Sequence, residues 1–106
     1  MSGVSYPYRY FYEHVEASQT EQVLGATGAK GDYLHRLICT VTTAATGNVV
    51  IVDGSGTGIL THTVLPASAG TGVNVYNIEV NAVSADGAWK VTTGAGVEVM
   101  AVGIFS

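Results

Sequence analysis

Short runs of alternating apolar and polar residues, separated by glycine-rich turns, dominate the chain from Gly31 onward. A period of two places successive side chains on opposite faces of a β-strand. No long segment carries the helical period that a crossover between parallel strands would need. The pattern therefore predicts an all-β fold with antiparallel strands, in which short strands at regular spacing build a sandwich or a small barrel.

Six segments carry the strand pattern clearly, and a seventh strand is expected near residues 22–26. Leu37, Cys39 and Val41 share one face of the first segment, which is predicted to point into the core. The last segment is apolar on both faces, and such a strand belongs in the middle of a sheet or at an interface. The six segments are residues 33–43, 48–52, 59–65, 73–80, 89–93 and 97–105.

The first thirty residues differ in composition from the rest, which predicts an extended N-terminal arm and loop (1–30) followed by a β domain (31–106). The arm is rich in aromatic side chains, which offer large contact areas with a polar tip and are enriched at interface centres. Two interpretations stay open: the arm docks along another protein, or it folds back as an edge strand whose tyrosines cover the sandwich. The residues predicted to make protein contacts are Tyr6, Tyr8, Arg9, Tyr10, Phe11 and Tyr12.

Charged residues make up only 11% of the 106-residue chain, against roughly 25% in typical domains. A free monomer usually spreads more charge over its surface to stay soluble, and interface cores are depleted of charge. We therefore expect other subunits to cover part of the surface. The net charge of −4 and the lack of a basic cluster argue against a nucleic-acid partner.

The sequence also indicates where the chain folds. No apolar run approaches the roughly 20 residues that span a bilayer, and no secretion signal opens the chain. We therefore expect folding in the cytoplasm without a membrane partner. A single cysteine, Cys39, excludes an internal disulfide, and its place on an inward face predicts a buried structural thiol.

No recognisable catalytic set occurs in the sequence. The run Gly54–Gly58 superficially resembles a phosphate-binding loop, but the lysine and helix that such a loop needs do not follow it, so a hairpin turn is the better interpretation. His14, His35 and His62 are not spaced as metal ligands, and we expect His35 and His62 to form hydrogen bonds at strand surfaces. We predict that the protein is not an enzyme and has no catalytic residue, metal site or cofactor.

Four segments carry a family resemblance: Gly31–Thr43, Val52–Gly56, Leu65–Ser68 and Gly87–Val97. In these segments the chain resembles the capsid decoration, or cement, proteins of tailed bacteriophages, and the resemblance extends over residues 31–106. It implies a small antiparallel β-sandwich, often of jelly-roll type, that sits as a homotrimer on the outside of an icosahedral head. The N-terminal arm commonly reaches over neighbouring capsid subunits in such proteins.

The resemblance implies a structural function in the virion. The protein would be assembled in the host cytoplasm, bind the outer surface of the head and stabilise it by clamping neighbouring major capsid subunits. Weak contacts that are repeated by symmetry give high total avidity. Two other functions remain open: a phage fibre or receptor-binding module that binds glycans, and a ring-forming connector or tail component. Exposure of Trp89 or of several tyrosines on a rigid face would favour the glycan-binding module, whereas a buried Trp89 would favour decoration.

Overall fold

The computed structural model describes residues 10–42, 47–54, 60–66 and 74–106. Within these ranges the chain forms eight strands, all in antiparallel pairs. No helix in the described part of the chain is long and apolar enough to cross a membrane. The strands are β1 (Phe11–Val15), β2 (Gln22–Val23), β3 (Tyr33–Val41), β4 (Val49–Asp53), β5 (Leu60–Leu65), β6 (Asn74–Val83), β7 (Trp89–Thr93) and β8 (Val97–Ile104).

The eight strands form two sheets of four strands each. Sheet 1 has the order β1-β8-β3-β6, and sheet 2 has the order β2-β7-β4-β5. The inner faces of both sheets contribute to one buried cluster, so the architecture is a sandwich-like pair of antiparallel sheets. The cluster consists of Val15, Leu24, Leu34, Leu37, Cys39, Val41, Val49, Ile51, Leu65, Trp89, Val91, Val97, Val99 and Ala101.

The structure confirms the all-β prediction and the six strand segments where they fall on described residues. Leu37, Cys39 and Val41 are fully buried, as their shared face predicts. The last strand, β8, lies between β1 and β3 inside sheet 1, which is the central position predicted from its two apolar faces. The seventh strand is also present, as the short β2.

Part of the segment predicted as an N-terminal arm and loop takes part in both sheets. Strand β1 pairs with β8 at the edge of sheet 1, and β2 pairs with β7 at the edge of sheet 2. Val15 and Leu24 are fully buried. Residues 11–24 therefore share one hydrophobic core with residues 31–106, because the apolar side chains of this segment complete the core that the later strands leave open.

Asp32 ties three parts of the chain together just before β3. Its carboxylate accepts hydrogen bonds from the amides of Ala29 (3.0 Å) and Ser106 (3.0 Å) and from the Ser106 hydroxyl (2.6 Å). Its backbone carbonyl accepts from Trp89 Nε1 (3.0 Å) and from the Ser84 amide (2.8 Å). The buried indole of Trp89 thus has a hydrogen-bond partner, and sheet 2 is linked to the start of sheet 1's longest inner strand.

A second buried carboxylate, Asp53, holds the turn that follows β6. It accepts hydrogen bonds from the amides of Ala85 (2.8 Å) and Asp86 (3.1 Å), and it is only 4% exposed. Gly54 comes next with a φ of +84°, a left-handed conformation that favours glycine. Its amide donates to the carbonyl of Ala88 over 2.9 Å. The end of β4 is therefore fixed to the turn before β7 by backbone and carboxylate contacts.

The opposite end of sheet 2 is closed by two glycines in direct contact. A Cβ on Gly94 would overlap the Cα of Gly47. The Gly47 amide donates to Ala95 O and the Gly94 amide donates to Asn48 O, both over 2.9 Å. Only residues without a side chain allow two backbones to cross this closely.

Candidate interaction surface

Sheet 1 carries the large exposed apolar side chains of the described residues. Across the described ranges, every large hydrophobic residue that is exposed lies on a strand of sheet 1 or immediately before β1. Exposed apolar groups that are gathered on one side of a domain are typical of an interaction surface. The residues are Tyr10 (47%), Phe11 (59%), Tyr12 (71%), Val75 (64%), Val83 (60%) and Met100 (36%).

The strand registers place most of these side chains on the outer face of sheet 1. Tyr12 lies opposite Val102, and His14 lies opposite Met100, which in turn lies opposite Ile38 of β3. These residues alternate with the buried ones along each strand, so they point away from the core. The apolar residues in the middle of the outer face form a strip across β1, β8 and β3, which we call the apolar strip. It consists of Tyr12, Val102, Met100 and Ile38.

One end of the strip contains a shallow depression of about 280 Å³. It is lined by apolar Ile38 and Met100 and by the polar pair His14 and Glu98. His14 Nε2 lies 3.2 Å from Glu98 Oε1, and both side chains are about half exposed. An exposed pair of this kind contributes little to stability, so its effect is to place polar groups beside the apolar strip.

The other end of the outer face holds a second depression, of about 390 Å³. Its lining comes from four side chains: Tyr10 before β1, Tyr33 at the start of β3, Val83 at the end of β6 and Ile104 at the end of β8. Three strands and the residue that leads into β1 thus meet here. Across the sheet, aromatic and aliphatic residues alternate in the order Tyr10, Ile104, Tyr33 and Val83.

A β-bulge gathers polar and aromatic groups beside this second depression. The register of β3 shifts between Leu34 and Arg36 against both of its neighbours. Opposite β8 the extra residue is His35 on β3, whereas opposite β6 the extra residue lies on β6, between Glu79 and Ala82. The Tyr10 ring stacks on the His35 ring with centroids 4.5 Å apart and planes at 16°. The Tyr33 ring lies 5.8 Å from His35. The bulge therefore brings Tyr33, His35 and Arg36 together at one place on the sheet.

The hydrogen bonds of this cluster all run in one direction, from Arg36 through His35 and Tyr33 to Asn81. The Arg36 guanidinium has only donors, so Nη2 donates to His35 Nε2 over 3.3 Å. An imidazole that accepts at Nε2 carries its proton on Nδ1, which lies 2.9 Å from the Tyr33 hydroxyl and donates to it. The Tyr33 hydroxyl in turn donates to Asn81 Oδ1 over 3.1 Å. Each member therefore fixes the orientation of the next.

Three further features accompany this network. Desolvation raises the pKa of the Tyr33 phenol above its ordinary value of 10.0, and the neighbouring Tyr10 raises it further, so Tyr33 keeps the proton that it donates. Asn81 has a φ of +52°, in the left-handed region that asparagine tolerates better than most residues. Glu79 Oε1 lies 4.0 Å from Arg36 Nη2 and closes the polar side of the cluster.

The residues predicted to make protein contacts divide into two groups. Tyr6, Tyr8 and Arg9 lie outside the described residues. Tyr10 and Tyr12 lie on the outer face of sheet 1. Phe11, which pairs with Gly103 on the edge strand β1, alternates with them and so points to the other face of the sheet. Their contacts with another protein stay a prediction.

Sequence patterns did not predict the cluster around His35. They did predict a hydrogen-bonded His35 at a strand surface, which the structure confirms. Tyr33 and Arg36 lie on β3 with His35, whereas Asn81 lies on β6, far away in the sequence, and their meeting depends on the pairing of these two strands and on the bulge. The one usable signal was the polar and aromatic character of Tyr33, His35 and Arg36 on a strand that is otherwise buried on its alternate face.

Sheet 2 has a different outer face. Thr61 and Thr63 of β5 are exposed, and Lys90 and Thr92 of β7 lie on the same side of the sheet as Val50 of β4. Thr92 Oγ1 accepts a hydrogen bond from the backbone amide of Glu21, just before β2. Short hydroxyl side chains can be satisfied by water, so this face needs no protein partner.

Three observations concern metal-binding and reactive side chains in the described part of the chain. They contain no group of three or more His, Cys, Asp or Glu side chains that could hold a metal ion. His62 is exposed on β5 of sheet 2, away from the outer face that carries His14 and His35. Burial raises the pKa of the Cys39 thiol from 9.0 to about 11, so the thiol stays protonated near neutral pH.

Trp89 bears on the choice between the functions that the sequence left open. It is 3% exposed, with its indole nitrogen hydrogen-bonded to the Asp32 carbonyl. The decoration hypothesis expects a buried Trp89, while the exposed Tyr10 and Tyr12 are also what a glycan-binding module expects. The chain matches no protein-family model, no curated protein and no solved structure. We therefore infer its function from the surfaces described above.

Proposed function

We propose that the protein is a capsid decoration protein of a tailed phage, which binds the outer surface of the head and clamps neighbouring major capsid subunits. The observation that carries this proposal is the gathering of exposed apolar side chains on sheet 1. The Thr- and Lys-bearing outer face of sheet 2 would then face solvent. The decoration protein would act mechanically, by burying apolar area across the seams between capsid subunits.

We also propose that the sandwich is a jelly roll. Its strands pair as β1 with β8, β2 with β7, β3 with β6 and β4 with β5. The first four strands alternate between the sheets, as expected when one long antiparallel hairpin wraps into two facing sheets. Jelly rolls build viral capsid and lectin domains, so this architecture is compatible with decoration without deciding the function.

The N-terminal segment is the second part of the proposed capsid contact. Tyr10 lies at one end of the outer face of sheet 1, so residues 1–9 join the domain beside the apolar strip that is proposed to face the capsid. They include Tyr6, Tyr8 and Arg9, whose aromatic and cationic side chains are typical of interface hot spots. We propose that this segment is an arm that reaches over a neighbouring capsid subunit.

Assembly as a homotrimer on the head surface is part of the same proposal. The low charge of the chain supports coverage by other subunits. Trimerisation would multiply the weak contact of each outer face by three and raise the avidity for the shell. Light scattering at micromolar concentration tests this step, and a monomer there contradicts the trimer.

Cosedimentation of the purified protein with undecorated phage heads tests the proposed function. We expect saturable binding that is lost when Met100, in the centre of the apolar strip, is changed to lysine. The matched control is Thr63→Lys, which adds the same charge to the exposed face of sheet 2. Equal binding by both variants, or no saturable binding by the unchanged protein, would overturn the proposal.

The contribution of the arm is tested by deleting residues 1–9 only. A longer deletion would remove β1, whose Val15 is part of the core, and would confuse lost contacts with lost folding. We expect the shortened protein to stay folded and to bind heads at least tenfold more weakly, a loss of about 1.4 kcal/mol. Unchanged binding would exclude the arm, and saturable binding to isolated connectors or tails instead of heads would favour the ring-forming alternative.

A further inference from the structure

The cluster of Tyr10, Tyr33, His35 and Asn81 has features that an apolar docking surface does not need. Its polar atoms are oriented by one another along a single chain of hydrogen bonds that begins at Arg36. Orienting polar side chains in advance reduces the entropy that a ligand must overcome on binding. Such a network beside an exposed aromatic ring is the kind of arrangement that recognises a small polar ligand.

We propose that this cluster binds a neutral hexopyranose unit of a glycan, with the sugar ring lying against the exposed face of Tyr10. One face of the Tyr10 ring is stacked on His35, yet 47% of the residue remains exposed. A pyranose has an apolar face of C–H groups and a rim of hydroxyls. An aromatic plane flanked by amide and carboxylate groups complements both parts of such a ligand.

Asn81 supplies the polar contacts on one side of the site. Its Oδ1 accepts from the Tyr33 hydroxyl, which leaves the amide nitrogen oriented as a donor toward a sugar hydroxyl. The left-handed backbone of Asn81 is uncommon for a residue other than glycine. Residues in such conformations often occur at ligand sites, where the surrounding structure holds them in place. Here the register shift between β3 and β6 and the Tyr33 hydroxyl do so.

The charges of the site favour a neutral sugar over an anionic one. Arg36 is engaged by His35 and lies 4.0 Å from the Glu79 carboxylate. The pair therefore presents no unmatched positive charge to a sialic or uronic acid. Glu79, which is 64% exposed, can accept hydrogen bonds from sugar hydroxyls.

The space beside the cluster is of a suitable size. The adjoining depression of about 390 Å³ is lined by Tyr10 and Tyr33 and by the aliphatic residues Val83 and Ile104. Small-molecule sites typically range from about 300 to 1,000 Å³, so this one suits a single sugar residue whose neighbours in the glycan extend into solvent. The site lies at the end of the outer face where β3 begins, beyond the apolar strip proposed to contact the capsid.

A protein-observed NMR titration of the full chain tests this proposal, with the methyl glycosides of glucose, galactose and mannose and N-acetylglucosamine as probes. We expect at least one probe to bind with a millimolar Kd and to shift the ring signals of Tyr10 and Tyr33. Tyr10→Ala should raise the Kd about tenfold, which corresponds to the upper end of the free energy that one aromatic contact contributes. Asn81→Gly keeps the left-handed backbone, removes the amide and should weaken binding about threefold, as for one hydrogen bond.

Phe11→Ala is the matched control, because Phe11 is an exposed aromatic next to Tyr10 that follows the opposite parity of the strand. It should bind the same probe within about twofold. Absence of a saturable shift for every probe, an equal loss in Phe11→Ala, or preference for sialic acid would each overturn the proposal. None of these results would alter binding to phage heads, so the two proposals fail separately.

Discussion

The outer faces of the two sheets are built from different residues, although both sheets share one core. Sheet 1 exposes aromatic and aliphatic side chains such as Tyr12, Val75 and Met100, whereas sheet 2 exposes threonines. Apolar surface is costly to leave in water, at roughly 25 cal/mol per Å². Sheet 1 therefore gains free energy when a partner covers it, and sheet 2 has little to gain.

The strand ends of the sheets differ as well. Both ends of β4 in sheet 2 are held by fixed backbone contacts: Asp53 binds the turn after β6, and the glycine contact of Gly47 with Gly94 closes the other end. The His35 cluster at one end of sheet 1 instead points polar and aromatic groups outward. Under the two proposals above, stability and recognition are assigned to different parts of the molecule, and mutations should separate the two.

The largest loss of folding stability is expected from mutation of Trp89, which links the two sheets through its hydrogen bond to the Asp32 carbonyl. Trp89→Ala should lower the free energy of unfolding by about 3–5 kcal/mol, because it leaves a cavity in the core and removes the hydrogen bond to the Asp32 carbonyl. Trp89→Phe keeps most of the ring volume and should cost about 1–2 kcal/mol. Urea denaturation measures both values. Equal losses in the two variants would show that the hydrogen bond, and not ring volume, dominates.

The next largest loss of stability is expected at Asp53, whose carboxylate anchors β4 of sheet 2 to the turn after β6. Asp53→Ala should lower the free energy of unfolding by about 2–4 kcal/mol, because two backbone amides lose a buried charged acceptor. Asp86→Ala is the control: only its backbone takes part in the anchor, and its exposed side chain should contribute within about 0.5 kcal/mol. Thermal unfolding compares the two. The folded fraction of Asp53→Ala should still bind heads, and a loss of that binding would break the separation of the two regions.

The buried thiol of Cys39 predicts a smaller, pH-dependent effect in the shared core. Its pKa is raised from 9.0 to about 11 in the folded chain, so the unfolded chain loses this proton first as the pH rises. The unfolded state then binds fewer protons, and stability falls between pH 9 and pH 11, by on the order of 2 kcal/mol in total. Unfolding curves across this range measure the loss. Cys39→Ala should be less stable at pH 8 but should lack this part of the pH dependence.

The smallest effect on stability is expected on the outer faces themselves. Met100→Lys and Thr63→Lys should each change the free energy of unfolding by no more than about 0.5 kcal/mol, since both side chains lie at the surface. Chemical denaturation of the two variants checks this expectation. A large loss in Met100→Lys alone would mean that the apolar strip stabilises the fold, which would remove the main support for a partner surface.

Alternation in the sequence was sufficient to predict most strands and the inward faces. It succeeded for β3, where Leu37, Cys39 and Val41 are buried, and for β6, whose burial alternates along the whole strand. A period of two reports which residues avoid water, and that is a local property. The sequence left open whether the aromatic segment docks elsewhere or forms an edge strand, because β1 presents exposed residues and only Val15 is fully buried.

By itself, the sequence determined that this protein is an all-β chain of short strands with few charges and an aromatic N-terminal segment. Only the tertiary structure decided which strands pair, that β1 borders β8, and that Tyr10 meets His35 on the outer face of sheet 1. Pairing depends on contacts between residues far apart in the chain, and the bulge at His35 depends on registers with two neighbouring strands at once. Local patterns carry no information about either, so the candidate sites became visible only when the sheets were assembled.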